Sequence, residues 1–63
     1  MQVTGIKKDI LNLLAKGKRD RGISEELKIS KGSVRLHIRE LKLLFTADTT
    51  PELVYKASKD GVI

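Results

Sequence analysis

The sequence predicts an all-α fold, a single domain over residues 1–63 whose four helices include a helix-turn-helix at about 20–45. Three observations predict it. Apolar residues recur at helical spacing in four separate segments. Polar or glycine-containing connections separate these segments. A chain of 63 residues without cysteine must also fold around a packed apolar core, because disulfides and thiolate metal ligands are unavailable.

The first helix is predicted to begin near Ile6, with Thr4 as its N-cap. Gly17 stands where a left-handed C-terminal cap belongs. The inward face follows the spacing i, i+4, i+7 and i+8 with one further apolar residue beside it: Ile6, Ile10, Leu13, Leu14 and Leu11.

A short second helix is predicted from about Arg21 to Lys28, with Asp20 as its N-cap. Ile23 and Leu27 lie one turn apart and face inward. The next helix begins after a turn of three residues, 28–30, so the segment has the spacing of a helix-turn-helix.

The third helix, predicted over 31–44, has two different faces. Ser30 is its predicted N-cap, accepting from the backbone N–H of residue 32 or 33. Its apolar stripe follows the spacing i, i+4, i+7 and i+11: Val34, Ile38, Leu41 and Phe45. The outer face carries Arg35, Leu36, Arg39, Lys42 and Leu43. An aliphatic inner face with a basic outer face is typical of a DNA-recognition helix and also of an ordinary solvated basic face.

A closing helix is predicted at about 51–59, with Thr50 as N-cap, Pro51 at the first helical position and an acid in the first turn. Leu53, Val54 and Ala57 would face the core, and Gly61 would end the helix before an apolar tail, Val62 and Ile63. The alternative interpretation takes residues 43–47 and 53–57 as strands of a hairpin, which would make the fold a winged helix-turn-helix.

The net charge of +5 lies entirely in the centre of the chain. Between positions 16 and 42 there are nine basic and four acidic residues, and the remainder of the chain balances. This distribution favours a phosphate backbone as the partner. An enzyme is disfavoured, since no nucleophile and base or metal cluster can be assembled, and no cofactor is implied. Without a long apolar run or a signal-peptide pattern, the cytoplasm is the expected compartment, with no membrane partner.

The chain resembles the DNA-binding domain of the LuxR/GerE family of bacterial transcription regulators, without a gap from Thr4 to Ile63. Three groups of residues carry the resemblance. The first-helix group is Thr4, Ile10, Leu11, Leu13, Leu14, Ala15 and Gly17. The helix-turn-helix group is Ile23, Leu27, Ile29, Ser30, Ser33, Val34, Arg35 and His37, and the closing group is Leu41, Glu52, Val54, Ala57, Gly61, Val62 and Ile63. The sequence departs from the family pattern at Lys7, Arg19, Gly22, Lys28, Thr46 and Ala47.

The resemblance implies a sequence-specific regulator of transcription that places the 31–44 helix in the major groove of double-stranded DNA. By position, Arg35, Leu36 and Arg39 match base-contacting residues, with Lys31 and Ser33 near phosphates; Lys42 completes the basic face. Further DNA contacts are predicted at Lys18, Arg19, Arg21, Ser30 and His37. For His37 the alternative is a partly buried packing residue.

The resemblance also implies a homodimer contact through the closing helix. The residues predicted to lie on its outer side are Tyr55, Lys56, Ser58 and Lys59. Because lysines would face their counterparts, the dimer is expected to be weak and to form mainly on DNA. The alternative function is a protein-interaction module that binds RNA polymerase, a sigma factor or another regulator through the exposed Leu36 and Leu43.

Overall fold

Four α-helices follow one another along the chain: α1 covers Ile6–Ala15, α2 Asp20–Leu27, α3 Lys31–Phe45 and α4 Thr50–Lys59. The computed structural model describes Val3 and residues 5–63. No strand occurs among these residues, which confirms the predicted all-α class. The alternative hairpin wing is wrong, because residues 43–45 belong to α3 and residues 53–57 to α4. None of the helices in this part of the chain combines the length and the apolar character needed to cross a membrane.

The core is built around α3, which packs against each of the other three helices. Val34 and Leu41 are fully buried and Phe45 nearly so, while Ile38 packs at the edge of the core. The apolar stripe predicted for this helix is therefore confirmed. The other buried residues complete the core around α3. They lie on α1, α2 and α4 or in the segments next to the helices: Val3, Ile10, Leu11, Leu13, Ile23, Ala47, Leu53 and Ala57.

The two ends of α1 are formed by glycines. Gly5 precedes the helix with φ of 67° and provides no side-chain cap, and Thr4, the predicted cap, lies outside the described residues. At the other end Gly17 has φ of 86°, and its N–H donates to the carbonyl of Leu14 at 2.9 Å. The predicted left-handed glycine cap is confirmed, because only glycine adopts this conformation without a steric penalty.

The start of α2 differs from the prediction by one residue. Arg19 has the extended backbone of an N-cap, and its carbonyl accepts from the N–H of Ile23 at 2.8 Å. Asp20 is the first helical residue, so its prediction as N-cap is wrong. The Asp20 carboxylate instead accepts a hydrogen bond from Arg35 on α3, and among the described residues no side chain caps this end of α2.

The three-residue turn between α2 and α3 is confirmed. Lys28 ends α2 in the left-handed conformation with φ of 57°. The N–H of Ile29 then donates to the carbonyl of Ser24 at 3.1 Å, and the Ser24 hydroxyl donates to the Ile29 carbonyl. Ser24 therefore fixes the turn by both its backbone and its side chain.

Ser30 caps α3 as predicted. Its hydroxyl oxygen accepts from the backbone N–H of Ser33 at 3.1 Å and donates to the Ser33 hydroxyl at 3.0 Å. The helix continues one residue beyond the predicted end, to Phe45. Thr46 then turns the chain with φ of 54°, and the N–H of Ala47 donates to the carbonyl of Lys42 at 2.8 Å.

Thr49, not Thr50, is the N-cap of α4, and the prediction of Thr50 is wrong. The Thr49 hydroxyl accepts from the N–H of Glu52 at 3.2 Å, and the Glu52 carboxylate accepts from the N–H of Asp48 at 2.6 Å. This reciprocal arrangement resembles a capping box. Pro51 is the second helical residue and not the first as predicted, and it fits there because an N–H in the first turn has no helical acceptor.

The inward face of α4 agrees with the prediction for Leu53 and Ala57, which are fully buried. Val54 is only half-buried, and it lines a groove beside the end of α1. Past the helix, Gly61 has φ of 75° and turns the chain back. Val62 and Ile63 then pack against the core, so the predicted apolar tail is confirmed.

The cap assignment predicts that Thr49→Ala lowers the free energy of unfolding by about 1 kcal/mol, because it leaves a helix-end N–H without its acceptor. Thr50→Ala removes no cap and is expected to change stability by less than about 0.5 kcal/mol. Urea denaturation of both variants followed by circular dichroism checks this difference. Equal losses from the two substitutions would contradict it.

Candidate nucleic-acid interface

The side of α3 that faces away from the core carries Arg35, Leu36, Arg39 and Lys42, and this set is called the basic face of α3. Arg35, Leu36 and Arg39 are exposed and Lys42 is half-buried. Arg35 and Arg39 stand one turn apart, and both line each of the two shallow grooves that flank them. The structure therefore brings the predicted base-contacting residues together on one ridge.

The first groove contains Gly32 and Leu36 in addition to the two arginines. The second groove runs between helices and adds Asp20 from α2, Thr50 from α4, and Ile38 and Lys42 from α3. The first groove is thus lined by residues of α3 alone, whereas the second is also lined by the first residues of α2 and α4.

The first turn of α3 contains the residues predicted to approach phosphates. Lys31 is exposed at the first helical position, and Gly32 leaves the surface beside it open. Ser33 is half-buried, and its hydroxyl accepts a hydrogen bond from the Ser30 hydroxyl. Ser30 is thus committed to capping, whereas the hydroxyl hydrogen of Ser33 can still donate to a phosphate oxygen.

An ion pair joins α2 to the basic face of α3. The Nε–H of Arg35 donates to Oδ2 of Asp20 at 2.9 Å. This hydrogen bond, helped by one from the backbone N–H of Asp20 itself, lowers the pKa of the Asp20 carboxyl below its usual value, and the positive charge of Lys31 acts in the same direction. Asp20 is therefore ionised at neutral pH, and its charged form is stabilised by Arg35 and Lys31.

The other basic residues predicted to contact DNA lie around this centre. Lys18 and Arg19 are exposed in the connection between α1 and α2, and they line a groove that also contains Asp20 and Thr50. Arg21 is exposed on α2 and its Nε lies 3.4 Å from Oε1 of Glu25. Lys18 and Arg19 are consequently adjacent to the second groove of α3, whereas Arg21 is directed along the surface of α2.

His37 lies apart from the basic face, on the side of α3 that approaches α1. Its side chain is about one-quarter exposed, and its Nδ1 is 3.6 Å from Oε1 of Glu40, which pairs with Lys7 of α1 at 3.2 Å. Nδ1 is buried without a hydrogen-bond partner among the residues that the structure describes. This environment is that of the partly buried packing residue considered as the alternative.

The outer side of α4 is formed by three of the four residues predicted there. Tyr55 is 65% exposed, and Ser58 and Lys59 are exposed. Lys56 differs because its Nζ donates to the carbonyl of Thr46 at 2.6 Å and lies 3.9 Å from Oε2 of Glu52. Lys56, one of the two lysines expected to face a second copy, is thus bound to the carbonyl of Thr46 next to the end of α3.

Two residues at this interface, Asp20 and Thr50, were predicted only as helix caps. Each is instead the first residue of its helix, and both line the grooves beside Arg35 and Arg39. For Asp20 the sequence offers only its acidic character near the predicted start of α2, because its approach to Arg35 depends on how the two helices cross.

The helix-turn-helix of α2 and α3, with arginines along the outside of its second helix, defines a nucleic-acid-binding domain of the helix-turn-helix class. Residues 4–57 match the family described as bacterial regulatory proteins, luxR family, and the chain belongs to that family. The resemblance seen in the sequence is thereby confirmed. The family is one of DNA-binding regulators of transcription and not of enzymes. Comparisons with curated proteins and with solved structures gave no significant match.

The ion pair predicts the acid titration of Asp20. Its pKa is expected below the usual carboxyl value in the native chain and to rise towards that value in Arg35→Ala, because the charged form loses its donor. Since the folded-state pKa is the lowered one, the stability that the pair contributes is present above the ordinary pKa and is lost as the pH falls through the lowered pKa.

Carbon NMR of the Asp20 carboxyl as a function of pH measures both values. Arg21→Ala is the matched control, since Arg21 pairs with Glu25 and its removal should leave the Asp20 titration unchanged. The same Asp20 midpoint in the native chain and in Arg35→Ala would contradict the pairing.

Proposed function

We propose that the chain is a sequence-specific double-stranded DNA-binding regulator of transcription that inserts α3 into the major groove, acting on DNA in the cytoplasm. The observation that carries this proposal is the exposure of Arg35, Leu36 and Arg39 on the second helix of the helix-turn-helix. An α-helix fits the major groove, where each base pair presents a distinct pattern of donors, acceptors and methyl groups.

The chemistry of the basic face suits base recognition. An arginine can donate two hydrogen bonds to guanine O6 and N7, and a leucine can pack on a thymine methyl. Arg35 and Arg39 are one helical turn apart, so they can address neighbouring base pairs, with Leu36 beside them. Lys31 and Ser33 at the first turn, and Lys42 further along, are proposed to position the helix on phosphates.

The remaining basic residues support the same orientation. Lys18 and Arg19 adjoin the second groove of α3, and we propose that they bind the phosphate backbone at the edge of the major groove. Ser30 contributes by holding the first turn of α3. Arg21, paired with Glu25, and His37, which lies towards α1, are placed less well for DNA.

A second candidate function rests on exposed leucines. Leu36, Leu43 and Leu44 are 52%, 76% and 47% exposed. Leucines in such positions favour a protein partner, such as RNA polymerase, a sigma factor or another regulator, because apolar side chains dominate the centre of protein interfaces. A contact through Leu43 and Leu44 can coexist with DNA binding, since these two residues lie in a groove with Lys7 and Glu40, apart from both arginine grooves, whereas Leu36 lies in one of them.

A salt titration tests the proposal. If about five phosphates are neutralised per chain, as the central charge suggests, the logarithm of the DNA association constant should fall with the logarithm of salt concentration at a slope of about −4.5. Fluorescence anisotropy with a labelled duplex selected from a random library measures the slope. Binding to DNA that ignores salt, or tight salt-insensitive binding to a protein partner alone, would favour the second candidate.

Two variants assign roles within the same titration. Arg35→Ala should lose about 1–3 kcal/mol on the selected site and relax the preference at one base pair. Lys31→Ala should weaken all sequences alike and make the slope shallower by about one unit. Equal, sequence-independent losses from both would contradict the division into base-reading and phosphate-binding residues.

We further propose a weak homodimer that forms mainly on DNA through the outer side of α4. One recognition helix contacts only a few base pairs, and paired half-sites are the usual route to specificity. Tyr55 is the large exposed side chain available for the contact, with Ser58 and Lys59 beside it. Since Lys56 is bonded to the Thr46 carbonyl, repulsion between the two copies falls mainly on Lys59.

The dimer proposal predicts that Tyr55→Glu abolishes cooperative binding to a palindromic site and leaves binding to one half-site nearly intact. The substitution removes the aromatic ring that supplies most of the apolar area of the contact, and desolvating a carboxylate in its place costs free energy. Anisotropy on half-site and full-site duplexes measures both quantities, and Tyr55→Phe, which keeps the ring, is the control expected to retain cooperativity. Parallel loss of half-site affinity would contradict this role for Tyr55.

A further inference from the structure

We propose that Asp20 is a positioning residue for base recognition: its carboxylate holds the Arg35 guanidinium by Nε, so that the two Nη groups are directed outward as a preformed fork for guanine. This inference rests on the proposed entry of α3 into the major groove. It gives an acidic residue a role in binding an acidic partner, and no local sequence pattern indicates that role.

The hydrogen-bond geometry leaves the recognising end of Arg35 available. A guanidinium has five N–H donors, one on Nε and four on the Nη atoms. Only the Nε donor is used, by Oδ2 of Asp20 at 2.9 Å, and the Nη atoms make no hydrogen bond within residues 3 and 5–63. Four donors therefore remain on the two Nη atoms, and one from each Nη can reach guanine O6 and N7 together.

Asp20 is suited to this task because it stands on a fixed part of the fold. It is the first residue of α2, directly after Arg19, whose carbonyl accepts the first helical hydrogen bond from Ile23. The two helices pack on each other, and Ile23 of α2 and Val34 of α3 are both fully buried. Asp20 thus approaches Arg35 from a neighbouring helix, where its own position does not depend on the Arg35 side chain.

Two consequences of the carboxylate act on DNA binding in opposite directions. Its charge repels phosphates, so it weakens binding to every duplex. Its hydrogen bond removes part of the conformational freedom that an unrestrained arginine would lose on reaching a base, which is worth about two- to twelvefold in affinity for one ordered side chain. Only a site with the correct base receives that second benefit, so the carboxylate raises discrimination while it lowers general affinity.

Arg39 provides an internal comparison. It is exposed on the same basic face, and no ion pair or side-chain hydrogen bond fixes it within the described part of the chain. If Asp20 acts through Arg35, its removal should affect the base pair read by Arg35 and leave the one read by Arg39 unchanged. A general effect of charge or stability would change both alike.

The test measures dissociation constants of the native chain, Asp20→Ala and Asp20→Asn on four duplexes at one salt concentration. Two of them are the selected site and a random duplex. The other two are the selected site with one base pair changed, at the position where Arg35→Ala relaxes preference or at the position where Arg39→Ala does so. Asp20→Ala should bind the random duplex more tightly than the native chain does and lose about two- to twelvefold of its discrimination at the Arg35 position. Asp20→Asn, which keeps an acceptor but not the charge, should fall between the two.

Glu26→Gln is the matched control, because Glu26 is an exposed acid of α2 with no ion pair in the described residues. It should raise affinity for all duplexes through charge alone and leave discrimination unchanged. In the Arg35→Ala background, Asp20→Ala should no longer alter discrimination, since the residue through which it acts is absent. Circular dichroism of each variant verifies equal helix content.

Three results would overturn the positioning role. Unchanged discrimination in Asp20→Ala would show that the carboxylate does not direct Arg35. Discrimination that rises in this variant would show that Asp20 competes with DNA for the guanidinium. Loss at the Arg35 and Arg39 positions alike would show a general effect. A native chain that binds duplexes without sequence preference would instead remove the proposed function together with this inference.

Discussion

The packing of α3 on the other three helices is the constraint on which the rest of the structure depends. Val34 and Leu41 are fully buried, and burial of one such side chain stabilises a fold by about 1.5–3 kcal/mol. A surface ion pair contributes about 0–1 kcal/mol. Packing therefore fixes the rotation of α3 about its axis, and the helical period then places Arg35 and Arg39 outside. The basic face is a consequence of the apolar stripe, since a rotation that hid the arginines would expose the core.

Beside this helix, the starts of two other helices lie in one groove. Asp20 and Thr50, which begin α2 and α4, line it together with Arg35, Arg39 and Lys42. The N-terminus of a helix carries a partial positive charge. The dipoles of the short helices thus add to the side-chain charge concentrated between positions 16 and 42. Asp20 is the acidic residue in this groove, and its negative charge is offset by the ion pair with Arg35.

Periodicity and turn chemistry predicted the four helices, the buried stripe of α3 and the glycine turns, because these depend on neighbours along the chain. The start of α4 shows where such rules conflict. Thr49 and Glu52 have the spacing of a capping box, yet the preference of proline for the first helical position favoured Thr50 as the cap. The N–H of Glu52 donates to the Thr49 hydroxyl and the N–H of Asp48 donates to the Glu52 carboxylate, so Thr49 is the cap. Contacts between distant residues were beyond these rules: Asp20 with Arg35 and Lys56 with Thr46 both depend on how helices cross.

Both turns that flank α3 hold a residue other than glycine in the left-handed region, Lys28 with φ of 57° and Thr46 with φ of 54°. Each such residue costs roughly 1–2 kcal/mol, in a domain small enough for the net folding free energy to be only about 3–5 kcal/mol. A free energy of that size leaves roughly one unbound molecule in 10² to 10⁴ unfolded at equilibrium. DNA that binds only the folded form, at a hundred times its dissociation constant, would add about 2.7 kcal/mol. Binding of the proposed DNA site would then also protect the domain against proteolysis, because a protease acts on the unfolded form, whose population the bound DNA would lower.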